Sequence, residues 1–220
     1  MEHVDGNYLP AAGRDWALPL YDPLIKLLGA EAAKRVLLKQ AGIRPKQRVL
    51  DIGCGTGTLA ILVKKLHPDV EVTGLDPDPK ALARSKEKAR RARVSIRFDQ
   101  GFSEELPYPD GSFDRVLSSL MLHHLKSTGK EQTLREVRRV LAPGGSLHLL
   151  DFEQPEKSAQ GLRERMASKS THLNDNSERQ ILAMMRQAGF DSYSKVMSKT
   201  MLFGLLHAGY YQASNRAVVS

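Results

Sequence analysis

Three alternate glycines, Gly53, Gly55 and Gly57, follow a short apolar run carrying one acid, Asp51, in the stretch RVLDIGCGTGTLA at residues 48–60. Glycines at such positions let backbone, rather than side chain, come close to a ligand. Asp76 ends the next apolar run, VEVTGLD. A carboxylate there can accept from both hydroxyls of a ribose, since its two oxygens match the spacing of a vicinal diol. The glycine spacing is G-x-G-x-G, whereas the dinucleotide fingerprint needs a sixth-position glycine where Thr58 stands. A nicotinamide dehydrogenase is therefore a poor reading. His123, His124, Asp151 and His172 are the candidate proton acceptors, with Tyr8, Tyr21, Tyr210 and Tyr211 as candidate orienting groups. Cys54, the only cysteine, lies inside the glycine turn and reads as a small packing residue, not a nucleophile. A single cysteine excludes an internal disulfide and a cysteine-rich metal site, and no metal ligand set is expected.

Alternating strands and helices must position these groups. Residues 48–52 read as a first strand, and the segment from Thr58 to about His67 reads as a buried helix. Strand two covers 70–75 and strand three 94–98. Between them Asp78 can cap a helix with Pro79 at its first position. Strand four is expected at 113–119, a helix at 131–141, a Pro143-Gly144-Gly145 turn, and strand five at 146–151. A helix at 31–41, one at 178–188 and two β-like runs near 191–202 and 210–219 complete the pattern. Such alternation predicts a parallel sheet with helices on both faces, in one domain spanning 31–220. Residues 1–30 form an arm with Tyr8, Arg14, Trp16 and Tyr21, suited either to a lid over a pocket or to packing along a sheet edge.

The formal charge is +8, and much of the excess lies between Lys80 and Arg97, where eight cations face only Glu87. No aromatic residue interrupts this run, so it lacks the stacking platform of single-strand binders and reads as a solvated helix face. No apolar run approaches the length of a membrane span, and residues 1–16 show no secretory signal, so the cytoplasm is the expected compartment.

The motifs VLDIGCGTGTLA, VTGLDPD, GFSEELPYPDGSFDRVLSSLMLHHL and REVRRVLAPGGSLHLLDF closely resemble class I S-adenosylmethionine-dependent methyltransferases. The resemblance is strongest to the ubiquinone and menaquinone branch and covers about residues 45–152. It implies a Rossmann-like, doubly wound α/β fold with a mostly parallel seven-stranded sheet and a C-terminal antiparallel hairpin. It also implies S-adenosylmethionine as cofactor, with S-adenosylhomocysteine as product and a small-molecule methyl acceptor. In that family's pattern Asp51, Gly53, Cys54, Gly55 and Gly57 would hold the methionine part, Asp76 the ribose, and Pro77 the adenine face. Gly101, Phe102 and Ser103 would border the base, while Ser118 and His123 would wall the methyl end. Family members commonly carry Asp where this chain has Phe102, to accept from the adenine amino group. Here Ser103 or a backbone carbonyl would substitute, or Phe102 would contact the ring edge.

A sulfonium methyl is already activated, so the protein must chiefly align the acceptor and exclude water. A general base is needed only for an acceptor that arrives protonated, and His123 is the leading candidate because it follows strand four. A wall residue without proton transfer is the plainer role for it. His124 is expected to face elsewhere. Acceptor contacts are expected from Tyr8, Arg14, Tyr21 and Tyr210. Two other functions stay in view. One is an RNA or protein methyltransferase, prompted by the charge, although SSLMLHHL lacks the Asn/Asp-Pro-Pro-aromatic motif of amino-group base methylases. The other is a cofactor-binding protein without turnover.

Overall fold

The computed structural model describes residues 30–153, 176–201 and 206–216. The elements are α1 (Ala30–Ala41), β1 (Arg48–Ile52), α2 (Thr58–Leu66), β2 (Glu71–Asp76), α3 (Pro79–Arg91), β3 (Arg97–Gln100) and β4 (Phe113–Ser119). A 3-10 turn, Leu122–His124, then leads to α4 (Ser127–Val140), β5 (Leu141–Glu153), α5 (Glu178–Gln187), β6 (Ser192–Met201) and β7 (Leu206–Ser214). The seven strands form one sheet in the order β3-β2-β1-β4-β5-β7-β6. The first five pair in parallel, and β7 joins β5 and β6 antiparallel, as the sequence predicts.

Strand alternation divides the apolar residues between the two faces of this sheet. Val49 packs with Leu37 of α1, Val63 of α2 and Leu82 of α3, while its neighbour Leu50 packs with Leu134 and Val137 of α4 and Ile181 of α5. Helices on both faces are the signature of a doubly wound sheet. The strand order reverses between β2 and β4, both of which flank β1. In such sheets the crevice beyond the carboxyl ends of the strands at the reversal is where ligands bind.

Three strands depart most from their expected bounds. β5 begins at Leu141, not at residue 146, because Leu141 already pairs with Phe113 before a register shift carries the chain past the Pro-Gly-Gly segment. β3 is confined to Arg97–Gln100, since Val94 and Ile96 pack on the core without ladder pairing. β7 ends at Ser214, where its pairing with Ser146 of β5 and Ser192 of β6 ends. The expected acceptor residues Tyr8, Arg14 and Tyr21, the arm around them, and His172 lie outside the described residues.

Candidate active site

Register brings the carboxyl ends of four strands to one edge. Ile52 of β1 is level with Leu75 of β2 and Ser118 of β4, and Ser119 is level with Leu150 of β5. The glycine turn, Asp76, the Ser118–Ser119 pair, the 3-10 turn and Asp151 therefore converge.

The turn at 53–57 depends on left-handed backbone, with φ of 63° at Gly53, 53° at Gly55 and 75° at Gly57. Gly57 is the N-cap of α2 and has no side chain to cap it. Asp51 supplies the missing acceptor from β1, its Oδ2 taking the N–H of Ala60 at 3.1 Å. Burial pushes the Asp51 carboxyl up to about 7, with Lys34 and the Ala60 N–H pulling it partly back. The unfolded chain releases this proton at about pH 4. In between, the folded protein holds a proton the unfolded chain has lost, so the stability from this group falls as pH rises from about 4 to about 7. Asp51→Asn should cancel that slope. Thermal melts of variant and wild type should move apart in the variant's favour as pH rises through that range; a pH-independent difference would contradict this.

Asp76, 6% exposed, ties the edge together. Its Oδ2 accepts from the Gly55 N–H at 2.7 Å and its Oδ1 from the Asp78 N–H at 3.0 Å. Each oxygen keeps a further lone pair for an incoming donor. Burial raises its affinity for a proton, against the pull of those two N–H groups. The neighbouring Asp78 does the capping, accepting from the Lys80 N–H at 2.8 Å with Pro79 at the helix start. Pro77 is half-buried and its carbonyl accepts from Gln100. The Gly101 N–H donates to the Asp76 carbonyl at 3.3 Å, and Phe102 stands beside it 52% exposed.

Several expected members sit otherwise. The Ser103 hydroxyl is buried and bonded to Glu104 and to Thr133 of α4, both at 2.9 Å. Tyr210 is fully buried, its hydroxyl donating to the Ala33 carbonyl of α1 at 3.1 Å; it is a core residue, not an acceptor contact. The Cys54 thiol is buried and driven far above its ordinary range, first by desolvation and then by Asp51 and Asp76, which suits packing and not nucleophilic attack. The His124 ring lies 4.0 Å from that of His123 and so shares its surroundings, contrary to the expectation that it faces elsewhere. Asp151 is not a free base, because it is completely buried and bonded to His123.

Two buried hydroxyls at this edge, of Ser118 and Ser119, have no hydrogen-bond partner among the described residues. Buried polar atoms are rarely left so without a ligand or water to serve. A methyl added at Gly55 would meet nothing within 4 Å, whereas one at Gly53 would strike the Met121 side chain at 2.2 Å. The turn thus has an open floor at Gly55, roofed at Gly53 by the residue that leads into the 3-10 turn.

Residues 49–145 match the family described as methyltransferase domain. The chain is 32% identical over 201 residues to the ubiquinone/menaquinone biosynthesis C-methyltransferase UbiE of Vibrio campbellii, covering 80% of this chain and 76% of that protein. The chain belongs to the class I S-adenosylmethionine-dependent methyltransferases. Within that family it is also 39% identical over 147 residues to demethylmenaquinone methyltransferase of Thermus thermophilus, 66% of each chain. The fold matches phosphoethanolamine N-methyltransferase 2 of Haemonchus contortus, with a TM-score of 0.79 over 94% of this chain and 58% of that one, at 18% identity. The chain spans roughly half to two thirds of the length of the first curated relatives it matches.

The family's cofactor fits the residues present. A ribose needs acceptors, which Asp76 keeps available; a close-lying chain needs an open backbone floor, which Gly55 gives; and the Ser118 and Ser119 hydroxyls await polar partners. At least half of the eight cations in the basic run from Lys80 to Arg97 have partners within the protein. Arg90 and Arg91 pair with Glu87, Arg97 with Asp99, and Lys88 donates to the Thr56 and Thr58 hydroxyls. Among the described residues, no helix is long and apolar enough to cross a membrane, and no cluster of three or more His, Cys, Asp or Glu could hold a metal ion.

Proposed function

We propose that this chain binds S-adenosylmethionine across the Gly53–Gly57 turn and transfers its methyl group to a small-molecule acceptor by in-line displacement. The observation that carries the reading is the buried Asp76 carboxylate, tethered to the Gly55 N–H at 2.7 Å beside an open floor. In this reading Asp76 accepts from the ribose hydroxyls, Pro77 packs on the adenine, and Gly101 and Phe102 border its edge. Asp51 and the glycine turn hold the methionine part, and Ser118 with the 3-10 turn walls the methyl end. Bound there, the cofactor supplies a methyl already activated on a sulfonium. The protein's residues fix the donor's position, align the acceptor behind the methyl and keep water out.

The activities for which the Thermus and Vibrio relatives are named support a quinone-like, ring-bearing small molecule as acceptor. The basic run over residues 80–97 holds no aromatic residue on which a base could stack, which speaks against single-stranded RNA as the acceptor. The test is a methyl-transfer screen over a panel of small aromatic, amine and thiol acceptors, with S-adenosylhomocysteine formation as readout. Turnover with a low-mass acceptor, unaffected by added RNA, is expected. Turnover only with RNA or protein would overturn the acceptor assignment.

A further inference from the structure

The amino ends of the parallel strands form the other edge of the sheet, and a cavity of about 540 Å³ opens there, away from the glycine turn. It lies among the last turn of α4, the start of β5, the end of α5, the loop before β4 and Asn215. The pairing of Ser146 in β5 with Ser214 in β7 brings Asn215 to this end of the sheet.

Three guanidiniums line the cavity, those of Arg135, Arg138 and Arg139, against one carboxylate, Asp110. Arg139 is committed. It pairs with Asp110 at 2.8 Å and Glu136 at 2.7 Å, and it donates to the Tyr108 and Leu106 carbonyls. Arg138 keeps most of its donors. Its Nε donates to the Gly189 carbonyl at 2.5 Å, which fixes the side chain, while Nη1 and Nη2 have no hydrogen-bond partner among the described residues. Arg135, one turn earlier on the same face of α4, reaches Glu131 and Gln132 at 3.3 Å each, an exposed pairing that a stronger acceptor can displace.

Asn215 lines the same cavity. Its Nδ2 donates to the Arg138 carbonyl at 3.0 Å and to the Leu141 carbonyl at 3.3 Å. Two carbonyl partners settle which amide atom is nitrogen, and they leave Oδ1 a buried acceptor without a partner among the described residues. Such acceptors are rare unless a ligand or water donates to them. An anion at the carboxyl end of a helix would ordinarily be repelled by free carbonyls. Here the carbonyls of Val137, Arg138 and Arg139 are already taken, by the Leu141 N–H, the Asn215 amide and the Gly111 N–H. Leu141, Pro143 and Ala188 add an apolar wall.

We propose that this cavity is a second ligand site, for a small phosphate monoester. The phosphate oxygens take the Arg138 Nη fork and Arg135, the remaining P–O–H donates to Asn215 Oδ1, and the organic group lies on Leu141, Pro143 and Ala188. A monoester retains that proton up to about pH 6, its second ionisation. Sulfate has a similar shape but no proton to give, so it separates a built site from a patch of positive charge. None of these residues belongs to the methyl-donor site, and the two sites are independent.

The experiment is calorimetric titration of the full chain at constant ionic strength with phenyl phosphate, inorganic phosphate and sulfate, each with and without S-adenosylhomocysteine. At pH 6 one saturable phenyl phosphate site per chain is expected, tighter than inorganic phosphate because of the apolar wall. Sulfate should bind more weakly than inorganic phosphate by about tenfold or more, despite its larger charge, since it leaves Asn215 Oδ1 unserved. Raising the pH to 8 removes the monoester's proton and should weaken phenyl phosphate, where attraction by charge alone would strengthen it. Arg138→Gln should weaken phenyl phosphate by about tenfold or more, and Arg138→Lys, which keeps the charge without the fork, should recover only part. Arg84→Gln, which removes a cation on α3, should change nothing. Sulfate binding as tight as phosphate, tighter phenyl phosphate binding at pH 8 than at pH 6, equal losses in Arg138→Gln and Arg84→Gln, displacement of phenyl phosphate by S-adenosylhomocysteine, or no saturable binding at millimolar concentration would each overturn the proposal.

Discussion

Replacing Asp76 with alanine should weaken S-adenosylmethionine binding by at least an order of magnitude. Hydrogen bonds to a charged group contribute about 1.5–3 kcal/mol each, and a tenfold change in affinity corresponds to about 1.4 kcal/mol. A ribose would lose two such bonds at once. The Gly55 N–H would also lose its acceptor at 2.7 Å, loosening the turn that forms the other wall. Asp76→Asn keeps one acceptor oxygen and should fall between wild type and Asp76→Ala. Calorimetric titration reads both; unchanged affinity in Asp76→Ala would contradict the ribose assignment.

The second large effect is on stability and separates two glycines of the same turn. A methyl at Gly57 would lie 2.7 Å from the Ser85 Cβ and 3.1 Å from the Phe98 ring, with φ at 75°. Ser85 is fully buried on α3 and its hydroxyl is bonded to the Leu82 carbonyl, so it cannot yield cheaply. Left-handed strain costs about 1–3 kcal/mol and overpacking a similar amount. For a domain of this size each kcal/mol lowers Tm by about 2–4 °C, so with the two costs added Gly57→Ala should melt roughly 4–24 °C lower. Gly55→Ala meets no atom within 4 Å and should lose only the backbone share. Its methyl would instead stand on the open floor, so it should impair cofactor binding more than its change in Tm implies. Equal melting losses for the two variants would contradict the packing described for the turn.

The sheet, the glycine turn and the Asp78 cap were legible because each is written in neighbouring residues. β1 and the start of α2 fall where apolar runs and the glycine break put them, and Asp78-Pro79 is a local signal. β5 was not, since Pro143-Gly144-Gly145 reads as a turn and only pairing with a distant strand, Leu141 against Phe113, extends it. The 28-residue separation hides the link between His123 and Asp151 in the same way. The available clue is that His123 follows the end of β4 and Asp151 lies near the end of β5, and the two strands turn out to be neighbours. The bonding of Ser103 and the burial of Tyr210 were not legible because sequence places a residue on an element without saying which way its side chain bonds. Thr133 of α4 and Ala33 of α1 decide those two cases.

The most direct test is calorimetric titration of the full chain with S-adenosylhomocysteine, and in parallel with NAD. One saturable S-adenosylhomocysteine site per chain, competed by S-adenosylmethionine, with no NAD binding, is the expected result. NAD binding at the glycine turn, or no S-adenosylhomocysteine binding by folded protein at millimolar concentration, would contradict it.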